Sequence, residues 1–345
     1  MRISSHIVSL FVLLFGALLT VGIAGCGGSS PTTTSSAFRF APEAPPQWDT
    51  TATRIATLNA MFLFDGSGEG AQIDFPRRGD PVAMRAHWQA VGNVIRRLDA
   101  DVVMLQEIGS RSALDSLRIH ALKGMGYASH FVQGRDHFTG QDVALLARVP
   151  VDTVGRTDER VAVGASRRTV GVSKNLFARL TLHGQPVTLI GVHFLARPND
   201  PERAPRREAQ AEVIRRLVAR ETAAGRAVGV MGDFNDFDTI PDVNGNQPLT
   251  NVMPCIRSAG PTPADDLVNV LADVPPSDRF TAHYDRNRND RVDGRHELSA
   301  IDHILLSPSL YAQVRRVTYG QFYDPVAVTD HFPIVVSLEP KNAQK

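Results

Sequence analysis

Short apolar segments that each end in a polar residue recur along this sequence, and they constrain its fold more than any other feature. Asn59 follows Ile-Ala-Thr-Leu, Glu107 follows Val-Val-Met-Leu-Gln, His193 follows Leu-Ile-Gly-Val, and Asp233 follows Val-Gly-Val-Met-Gly. Apolar runs of this length predict buried strands. Carboxylate, amide and imidazole groups are costly to bury without partners. Four such strand ends therefore predict one shared site at a rim of the sheets.

The wider pattern predicts an α/β fold. Apolar periodicity at steps of three and four predicts helices over Met84–Leu98 and Glu202–Arg220. Many strands with few helices favour two packed sheets with helices outside them. The predicted strands are Arg54–Asn59, Asp101–Gln106, Val143–Arg148, Leu176–Leu182, Val187–His193, Ala227–Gly232, Ile301–Leu306 and Ile334–Leu338.

The amino terminus has the pattern of a secretory signal. Arg2 is the only charge before Cys26, an apolar run spans Ile7–Ile23, and the small residues Ala24 and Gly25 precede the cysteine. This stretch also resembles a bacterial lipobox, which predicts a lipoprotein signal peptide over residues 1–25 and a lipidated Cys26. The membrane would then be a partner, and the protein would be anchored to the bacterial cell envelope, in the periplasm or at the cell surface. An ordinary cleaved signal and a short membrane anchor are the alternatives.

The remainder divides into a linker and a single domain. Residues 26–52 are rich in Gly, Ser, Thr and Pro without hydrophobic periodicity, which predicts a flexible tether. The domain is predicted over residues 53–340. With 37 basic and 36 acidic side chains, the formal net charge is +1. This balance excludes a protein that grips nucleic acid by bulk positive charge, but it is compatible with a local phosphate-processing site.

The polar strand ends belong to a longer series of motifs. They are Thr57-Leu58-Asn59, Leu105-Gln106-Glu107, Gln141-Asp142-Val143-Ala144-Leu145-Leu146-Ala147-Arg148-Val149-Pro150, Gly191-Val192-His193, Gly232-Asp233-Phe234-Asn235, Ile301-Asp302-His303-Ile304-Leu305 and Thr329-Asp330-His331-Phe332-Pro333. Their order and content resemble the endonuclease/exonuclease/phosphatase superfamily, which includes pancreatic-type deoxyribonuclease, abasic-site endonuclease and neutral sphingomyelinase. The resemblance covers nearly the whole chain after the tether. It implies a four-layered α/β sandwich, two mostly antiparallel sheets flanked by helices, as in deoxyribonuclease I.

The resemblance also implies a metal site. Hard divalent cations prefer carboxylate and amide oxygens, and they neutralise the phosphate during hydrolysis. Glu107 is expected to be the main ligand of Mg²⁺, with Asn59 and Asp330 close by, and Mn²⁺ is a possible substitute. His193 is expected to act as a cation that holds a non-bridging oxygen. Lys174 is a further candidate for a phosphate contact.

The remaining implied roles concern proton transfer. Asp233 would orient or deprotonate the attacking water, and Asn235 would hydrogen-bond the phosphate or the metal shell. Residues i and i+2 of an extended segment face the same side, so both could face one phosphate. Asp302 would orient His331, which contacts the scissile phosphate or acts as acid or base. The choice between Asp233 and His331 as general base stays open.

Three neighbouring polar residues are assigned outside the site. Asp236 and Asp238 are expected to be solvated loop acids. His303 is expected to point to the opposite face of its strand.

One segment departs from the family pattern. Residues 284–294 place oxygen donors at the first, third, fifth and ninth positions of a calcium loop. Asp290 replaces the usual glycine at the sixth position, and His296 replaces glutamate at the twelfth. A structural Ca²⁺ site and a solvated turn both remain open. The donors are Asp285, Asn287, Asn289 and Asp293.

These observations together predict a secreted, lipid-anchored, Mg²⁺-dependent phosphoesterase that cleaves phosphodiesters. The first expected substrate is extracytoplasmic DNA, so the protein would be a nuclease. A phospholipid or sphingomyelin phosphodiesterase and a phosphomonoesterase of the same fold are alternatives. A non-catalytic binding module is the alternative from another class, but the complete set of eight site residues argues against it.

Overall fold

The computed structural model of the chain describes residues 40–49, 51–67, 71–260 and 262–340. The predicted signal peptide over residues 1–25 and the predicted lipidation site at Cys26 lie outside these ranges. No helix in the described part of the chain is both long enough and apolar enough to cross a bilayer.

The strands alternate with few helices, as the sequence predicts. The strands are β1 (Thr53–Leu63), β2 (Val102–Ile108), β3 (Ala128–Phe131), β4 (Asp142–Ala147), β5 (Val151–Gly155), β6 (Val161–Ala162), β7 (Thr169–Val170), β8 (Asn175–Leu182), β9 (Gln185–His193), β10 (Ala227–Asp233), β11 (Val268–Asn269), β12 (Ala282–His283), β13 (Leu298–Ser299), β14 (Asp302–Leu306), β15 (Val314–Tyr319) and β16 (Ile334–Leu338). The α-helices are α1 (Pro81–Leu98), α2 (Arg111–Ser116), α3 (Ala204–Ala223), α4 (Val252–Arg257) and α5 (Pro308–Tyr311).

Two six-stranded sheets form the centre of the fold. Their strand orders are β15-β16-β1-β2-β4-β3 and β11-β14-β10-β9-β8-β5. Each sheet contains one central parallel pair, β1 with β2 and β9 with β10, and the other pairs are antiparallel. The carboxyl ends of a parallel pair lie at the same sheet edge, so each sheet brings two polar strand ends together there.

Three apolar clusters separate four layers. Met104 of the first sheet and Met231 of the second lie in the cluster between the sheets. Helix α1 covers the outer face of the first sheet, and α3 covers that of the second. The helical stripe that the sequence predicts on α1 is buried: Met84, Trp88, Val91, Ile95 and Leu98. The predicted four-layered α/β sandwich is therefore confirmed.

Close approach of the two sheets requires a glycine on β9. A Cβ atom at Gly191 would stand 2.3 Å from the sulfur of Met104 on β2. Real Cβ atoms do not approach other atoms so closely, so a larger residue would require the side chains of Met104 and Val143 to move. This contact lies two residues before His193, so the two sheets pack closely beside the polar strand ends.

All eight predicted strands and both predicted helices are present, with small shifts at their ends. The sheet-edge strands β3, β5, β11 and β15 were not predicted, nor were the two-residue strands β6, β7, β12 and β13. These segments are short or partly exposed, so their apolar signal is weak.

The predicted tether is wrong for its described part. Phe40 packs against Phe280 and Phe332, and Trp48 donates from Nε1 to the carbonyl of Arg97 at 2.7 Å. Residues 40–49 thus contact the domain instead of linking to it freely. The aromatic residues Phe40 and Trp48 in this Pro-rich stretch could have indicated the packing from the sequence.

Candidate active site

The ends of β1 and β2 carry Asn59 and Glu107, and both strands are irregular there. The register of this parallel pair shifts between Asn59 and Leu63, while β2 shifts against β4 between Leu105 and Ile108. Met61, Phe62 and Glu107 have positive φ angles of 49°, 51° and 63°. Irregularities of this kind re-aim side chains at strand ends. They turn the Glu107 carboxylate toward the rim shared by both sheets.

The Glu107 carboxylate is held at two points. Its Oε1 accepts from the Asn59 Nδ2 at 3.1 Å, and its Oε2 accepts from the backbone N–H of Phe62 at 2.9 Å. Burial and then the negative charge of Asp330 raise the pKa of Glu107, against the opposing charges of Lys174 and His331. Two acidic groups with this mutual repulsion form a site that a cation would stabilise.

Asn59 is oriented differently from the prediction. Its Oδ1 accepts from the backbone N–H of Met61 at 3.0 Å, while its Nδ2 donates to both Glu107 and Asp233 at 3.1 Å. The amide therefore presents a donor to the carboxylates and keeps its oxygen on the backbone. In this arrangement the Asn59 Nδ2 lies between the carboxylates of Glu107 and Asp233.

Asp233 ends β10 and lies at the centre of the group. Strand register pairs it with His193 on β9 and with Asp302 on β14. Burial, followed by the charge of Asp302, raises the pKa of Asp233 to about 7. A carboxyl group with a pKa near neutrality is suited to accept a proton at physiological pH.

Asn235 reaches the site through a turn. Its φ angle is 47°, so the chain has left the extended conformation and the predicted i, i+2 alternation does not apply. Its backbone N–H donates to the Asp233 Oδ1 at 2.8 Å, and its Nδ2 donates to the carbonyl of Phe194 at 3.2 Å. Both side chains still line the same cavity.

Asp302 and His331 form the predicted pair. The His331 Nδ1 lies 2.8 Å from the Asp302 Oδ2, and the His331 Nε2 lies 3.9 Å from the Asp233 Oδ2. Burial alone would lower the pKa of His331. The charge and hydrogen bond of Asp302, together with the charges of Asp233 and Asp330, outweigh this effect of burial. The pKa of His331 is therefore raised well above its usual range, which favours the imidazolium form.

His193 lies on the other side of Asp233 and differs from the prediction in charge. Its Nε2 is 3.3 Å from the Lys174 Nζ and 3.5 Å from the Asp233 Oδ2. Burial and then the positive charges of Lys174 and His331 lower the pKa of His193 well below its usual value. An ammonium group only donates, so the His193 Nε2 is its acceptor and the ring is neutral. Lys174 is the cation at this position.

Asp330 and Arg77 complete the charged rim. Arg77 donates from Nη2 to the carbonyl of Met61 at 2.8 Å, and the charges of Asp330 and Glu107 act on its guanidinium. Arg77 was missed in the sequence because it lies in an irregular segment before α1, outside any motif. Only the β1 irregularity brings it to the site.

One cavity of about 1170 Å³ joins these groups. Asn59 and Asp302 lie behind its surface, where they orient Glu107, Asp233 and His331. The opposite wall comes from residues 196–201 and from the segment between β12 and β14. The predicted residues that line the cavity are Glu107, His193, Asp233, Asn235, Asp330 and His331.

The side chains present fit a divalent cation. In the described chain, ligand atoms of Asp233, Asp302 and His331 lie within 4.8 Å of one another. Glu107 and Asp330 repel each other nearby, and the Asp302 Oδ1 is buried without a hydrogen-bond partner. Carboxylate oxygens in this number are the donors that Mg²⁺ and Mn²⁺ accept. Since a protonated His331 paired with Asp302 has no lone pair for a metal, the acids available beside this group are Asp233 and the predicted ligands Glu107 and Asp330.

Two acids predicted to be solvated are buried. Asp236 accepts from the Arg207 Nε at 2.9 Å and from the Thr250 hydroxyl at 2.8 Å, and all of these side chains are buried. Asp238 accepts from the Asn269 Nδ2 at 2.8 Å. Their partners come from distant segments, which local sequence could not reveal. His303 faces away from the site, as predicted, with its Nε2 3.0 Å from the carbonyl of Asp236.

Fold and site together define a phosphoester hydrolase with a buried acid–histidine centre. The sequence profile of the Endonuclease/Exonuclease/phosphatase family matches residues 56–331. The chain belongs to this family, whose members are generally dependent on divalent metals. No curated protein sequence matches at a significant level.

Solved structures show the same fold at low sequence identity. The 3′ phosphatase NExo from Neisseria is 17% identical, with a TM-score of 0.56 over 84% of this chain and 100% of that one. An endonuclease/exonuclease/phosphatase from Bacteroides vulgatus is 17% identical, with a TM-score of 0.55 over 84% and 100%. TDP2 from Caenorhabditis elegans is 16% identical, with a TM-score of 0.51 over 83% and 74%.

Proposed function

We propose that this phosphoester hydrolase is a Mg²⁺-dependent phosphodiesterase and that its substrate is extracytoplasmic DNA. The observation that carries the proposal is the position of the acid–histidine centre in a cavity of about 1170 Å³. This space extends past Asp233 and His331 to exposed Arg197 and Arg286, so a phosphate with groups on both sides has room. A terminal phosphate needs much less space.

Glu107 and Asp330 would hold Mg²⁺, with Mn²⁺ as a substitute. The bound cation would neutralise charge on the non-bridging oxygens of the phosphate. Asn59 supports this site by spacing Glu107 from Asp233. Because burial and the negative charge of Asp330 raise the pKa of Glu107, cation binding and ionisation of Glu107 would reinforce each other.

The directions of the two pKa shifts support Asp233 as general base. A raised pKa keeps His331 protonated and therefore unable to accept the proton of the attacking water, whereas Asp233, with a pKa of about 7, can accept it. The water oxygen forms the bond to phosphorus, its proton passes to Asp233, and the ester P–O bond breaks. His331 supplies a proton to the leaving oxygen. The two groups are 3.9 Å apart, and solvent can return the proton from Asp233 to His331.

Asn235 would bind the phosphate, and Lys174 would act on it by charge from behind His193, since Lys174 is buried and does not line the cavity. Lys174 also contacts the Gln141 Oε1 at 3.3 Å and lies 3.6 Å from the Asp136 carboxylate, so its ammonium is fixed in place. His193 accepts from Lys174 and fills the space beside Asp233. A fixed cation of this kind stabilises negative charge on the phosphate as the reaction proceeds.

DNA is supported as the substrate by the far wall of the cavity. Arg197 and Arg286 can pair with backbone phosphates, and Tyr284, which is 72% exposed, offers a ring for a base. The structural neighbour NExo is bound to a product DNA hairpin. Since NExo is described as a 3′ phosphatase, a phosphomonoesterase acting on DNA ends is the second candidate.

A substrate panel tests this function. The purified domain is assayed in Mg²⁺ on double-stranded DNA, RNA, a 3′-phosphorylated oligonucleotide, sphingomyelin vesicles and a small aryl phosphodiester, with Glu107→Gln as the inactive control. The proposal expects DNA cleavage, and slower hydrolysis of the small diester. Release of phosphate from the 3′ end without internal cleavage would favour the second candidate. Preference for vesicles would reject DNA as substrate.

We further propose that Cys26 is the lipidated first residue of the mature chain and that the domain faces away from the cytoplasm. The support is the sequence before Cys26, with its single charge, apolar run and small residues. In a bacterial host, Cys26→Ser should abolish labelling by a fatty-acid analogue and release the protein from membranes. Membrane association that survives this substitution would reject the lipid anchor.

A further inference from the structure

Residues 196–201 form one wall of the catalytic cavity and contain no helix or strand. Arg207, in the first turn of α3, is buried beside this wall and does not line the cavity itself. Its Nη1 and Nη2 donate to the backbone carbonyls of Arg197 and Pro198, both at 2.8 Å. The guanidinium therefore satisfies backbone acceptors that a neighbouring strand would satisfy in a sheet.

The same guanidinium also reaches the loop that follows β10. The Arg207 Nε donates to the Asp236 Oδ2 at 2.9 Å, and neither side chain is exposed. The Asp236 Oδ2 accepts a further hydrogen bond from the Thr250 hydroxyl at 2.8 Å. Because a guanidinium presents its donors in a rigid planar fork, one side chain ties the cavity wall to the residue directly after Asn235.

Three more hydrogen bonds join the segments that follow β9 and β10. The backbone N–H of Phe194 donates to the carbonyl of Asp233 at 2.9 Å, and the Asn235 Nδ2 donates to the carbonyl of Phe194 at 3.2 Å. The backbone N–H of Leu195 donates to the Oε1 of Gln210 on α3 at 3.0 Å. The start of α3 and both strand-end loops are thus one hydrogen-bonded frame, with the catalytic residues on one side and the cavity wall on the other.

The opposite end of α3 carries an arginine–carboxylate pair for comparison. Arg179 on β8 donates from Nε and Nη2 to the two carboxylate oxygens of Glu221 at 2.9 and 2.8 Å, and Glu221 is buried. Neither residue lines the cavity. A buried ion pair is weak evidence for stability, because desolvation offsets the attraction of the charges. Arg207 differs from Arg179 in that two of its donors hold the backbone of the cavity wall.

We propose that Arg207 is a positioning residue that fixes the wall of residues 196–201 against the catalytic loop, and that this wall controls binding of substrate groups beyond the scissile phosphate. The second part rests on the proposed phosphodiesterase function. Arg197 is the cation of the wall, and its φ angle of 72° lies in the left-handed region that side-chain-bearing residues rarely adopt. Such a conformation persists only where the surroundings hold it. Arg207 provides this support, since it holds the carbonyl of Arg197.

Arg207→Lys tests this role by kinetics. Lysine keeps a positive charge for Asp236 but lacks the planar fork that reaches the two carbonyls. KM for a DNA oligonucleotide should rise about tenfold with kcat changed by less than about 3-fold, because Arg197 contacts the substrate away from the reacting atoms. The kcat/KM for a small aryl phosphodiester, which does not extend to Arg197, should stay within about 3-fold of wild type.

Arg179→Lys is the matched control, because it makes the same substitution at the opposite end of α3. It should lower Tm and leave the kinetic constants for both substrates unchanged. Equal losses of kcat/KM on the oligonucleotide and the small diester in Arg207→Lys would overturn the proposal, and so would an equal rise of the oligonucleotide KM in Arg179→Lys. Asp236→Asn covers the case in which Arg207→Lys does not fold. It keeps the side-chain size but weakens the anchor of the fork, so the oligonucleotide KM should rise by about 3-fold. A lower Tm for Asp236→Asn with unchanged KM would show that the pair only stabilises the fold.

Hydrogen exchange measured by mass spectrometry tests the positioning of the wall without a substrate. Peptides that cover residues 194–203 should exchange faster in Arg207→Lys and Asp236→Asn than in wild type and Arg179→Lys, because the frame that protects their N–H groups is weakened. Unchanged exchange in this segment would overturn the proposal. A wild type that cleaves no DNA would reject the proposed substrate, and the exchange result would still decide whether Arg207 fixes the wall.

Discussion

His331 and His193 face the same cavity from opposite sides of Asp233, yet they carry opposite charge states. Both are buried, so burial alone would make both neutral. The Asp302 carboxylate contacts the ring of His331 and raises its pKa. Lys174 contacts the ring of His193 and, in addition to burial, lowers its pKa. The nearest charged neighbour, and not the depth of burial, therefore decides which histidine can donate a proton.

The two sides of the site therefore have different roles. His331 can donate a proton to a leaving oxygen, and Asp233 can accept a proton from water. The His193 side offers a fixed cation in Lys174 and a neutral ring. Substitutions on the first side should therefore reduce proton transfer, whereas those on the second should weaken phosphate binding and change the charge of His193.

The largest effect is expected for His331→Ala. Removal of the proton donor should lower kcat for phosphodiester hydrolysis by about 10²- to 10⁴-fold, with the fold intact by circular dichroism. The control is His296→Ala, which removes an exposed histidine from the far wall of the same cavity and should change kcat by less than about 3-fold. A loss of kcat below tenfold for His331→Ala would contradict the larger role of the His331 side in turnover.

A smaller effect is expected for Asp302→Asn. The variant keeps the side-chain shape but removes the charge, so the pKa of His331 should fall and kcat should drop by about 100-fold at alkaline pH. The alkaline limb of the pH–rate profile of Asp302→Asn should therefore move to lower pH.

The raised pKa of His331 also contributes to the free energy of unfolding of the wild type. This contribution is present below about pH 6.5 and is lost as pH rises through the folded-state pKa.

A pH–rate profile with an unchanged alkaline limb would show that Asp302 does not set the charge of His331. Histidine resonances followed by NMR during the same titration give an independent reading of the pKa.

The smallest effect is expected for Lys174→Met. Loss of the ammonium removes a positive charge behind His193, so it should raise KM by about tenfold and should raise the pKa of His193. Lys174→Arg keeps the charge and should keep His193 neutral. An NMR titration in which the pKa of His193 stays the same in Lys174→Met would contradict the assigned cause of the difference between the histidines.

The sequence was sufficient to find both histidines and the acids between them. Strand-end positions could be read because apolar runs end abruptly at Asn59, Glu107, His193 and Asp233. Their shared rim was predicted from these polar endings alone, whereas the two parallel pairs that bring them together are seen only in the structure, since the family resemblance implied mostly antiparallel sheets.

Charge and orientation could not be read in the same way. The pKa of His193 is lowered by burial and by Lys174, which lies just before β8, and Asp236 is buried against Arg207 of α3. Irregular backbone at the ends of β1 and β2 turns Asn59 and Glu107, and no sequence periodicity specifies that turn. Sequence patterns thus locate groups along strands, whereas contacts between distant segments decide their protonation and their partners.

Metal dependence tests the central claim most directly. The purified domain is stripped with EDTA and assayed for DNA cleavage before and after addition of excess Mg²⁺, alongside Glu107→Gln. The account predicts no cleavage without metal, full recovery in the wild type, and no recovery in the variant. Cleavage that continues in EDTA, or equal recovery in Glu107→Gln, would contradict a phosphodiesterase that depends on a cation at Glu107.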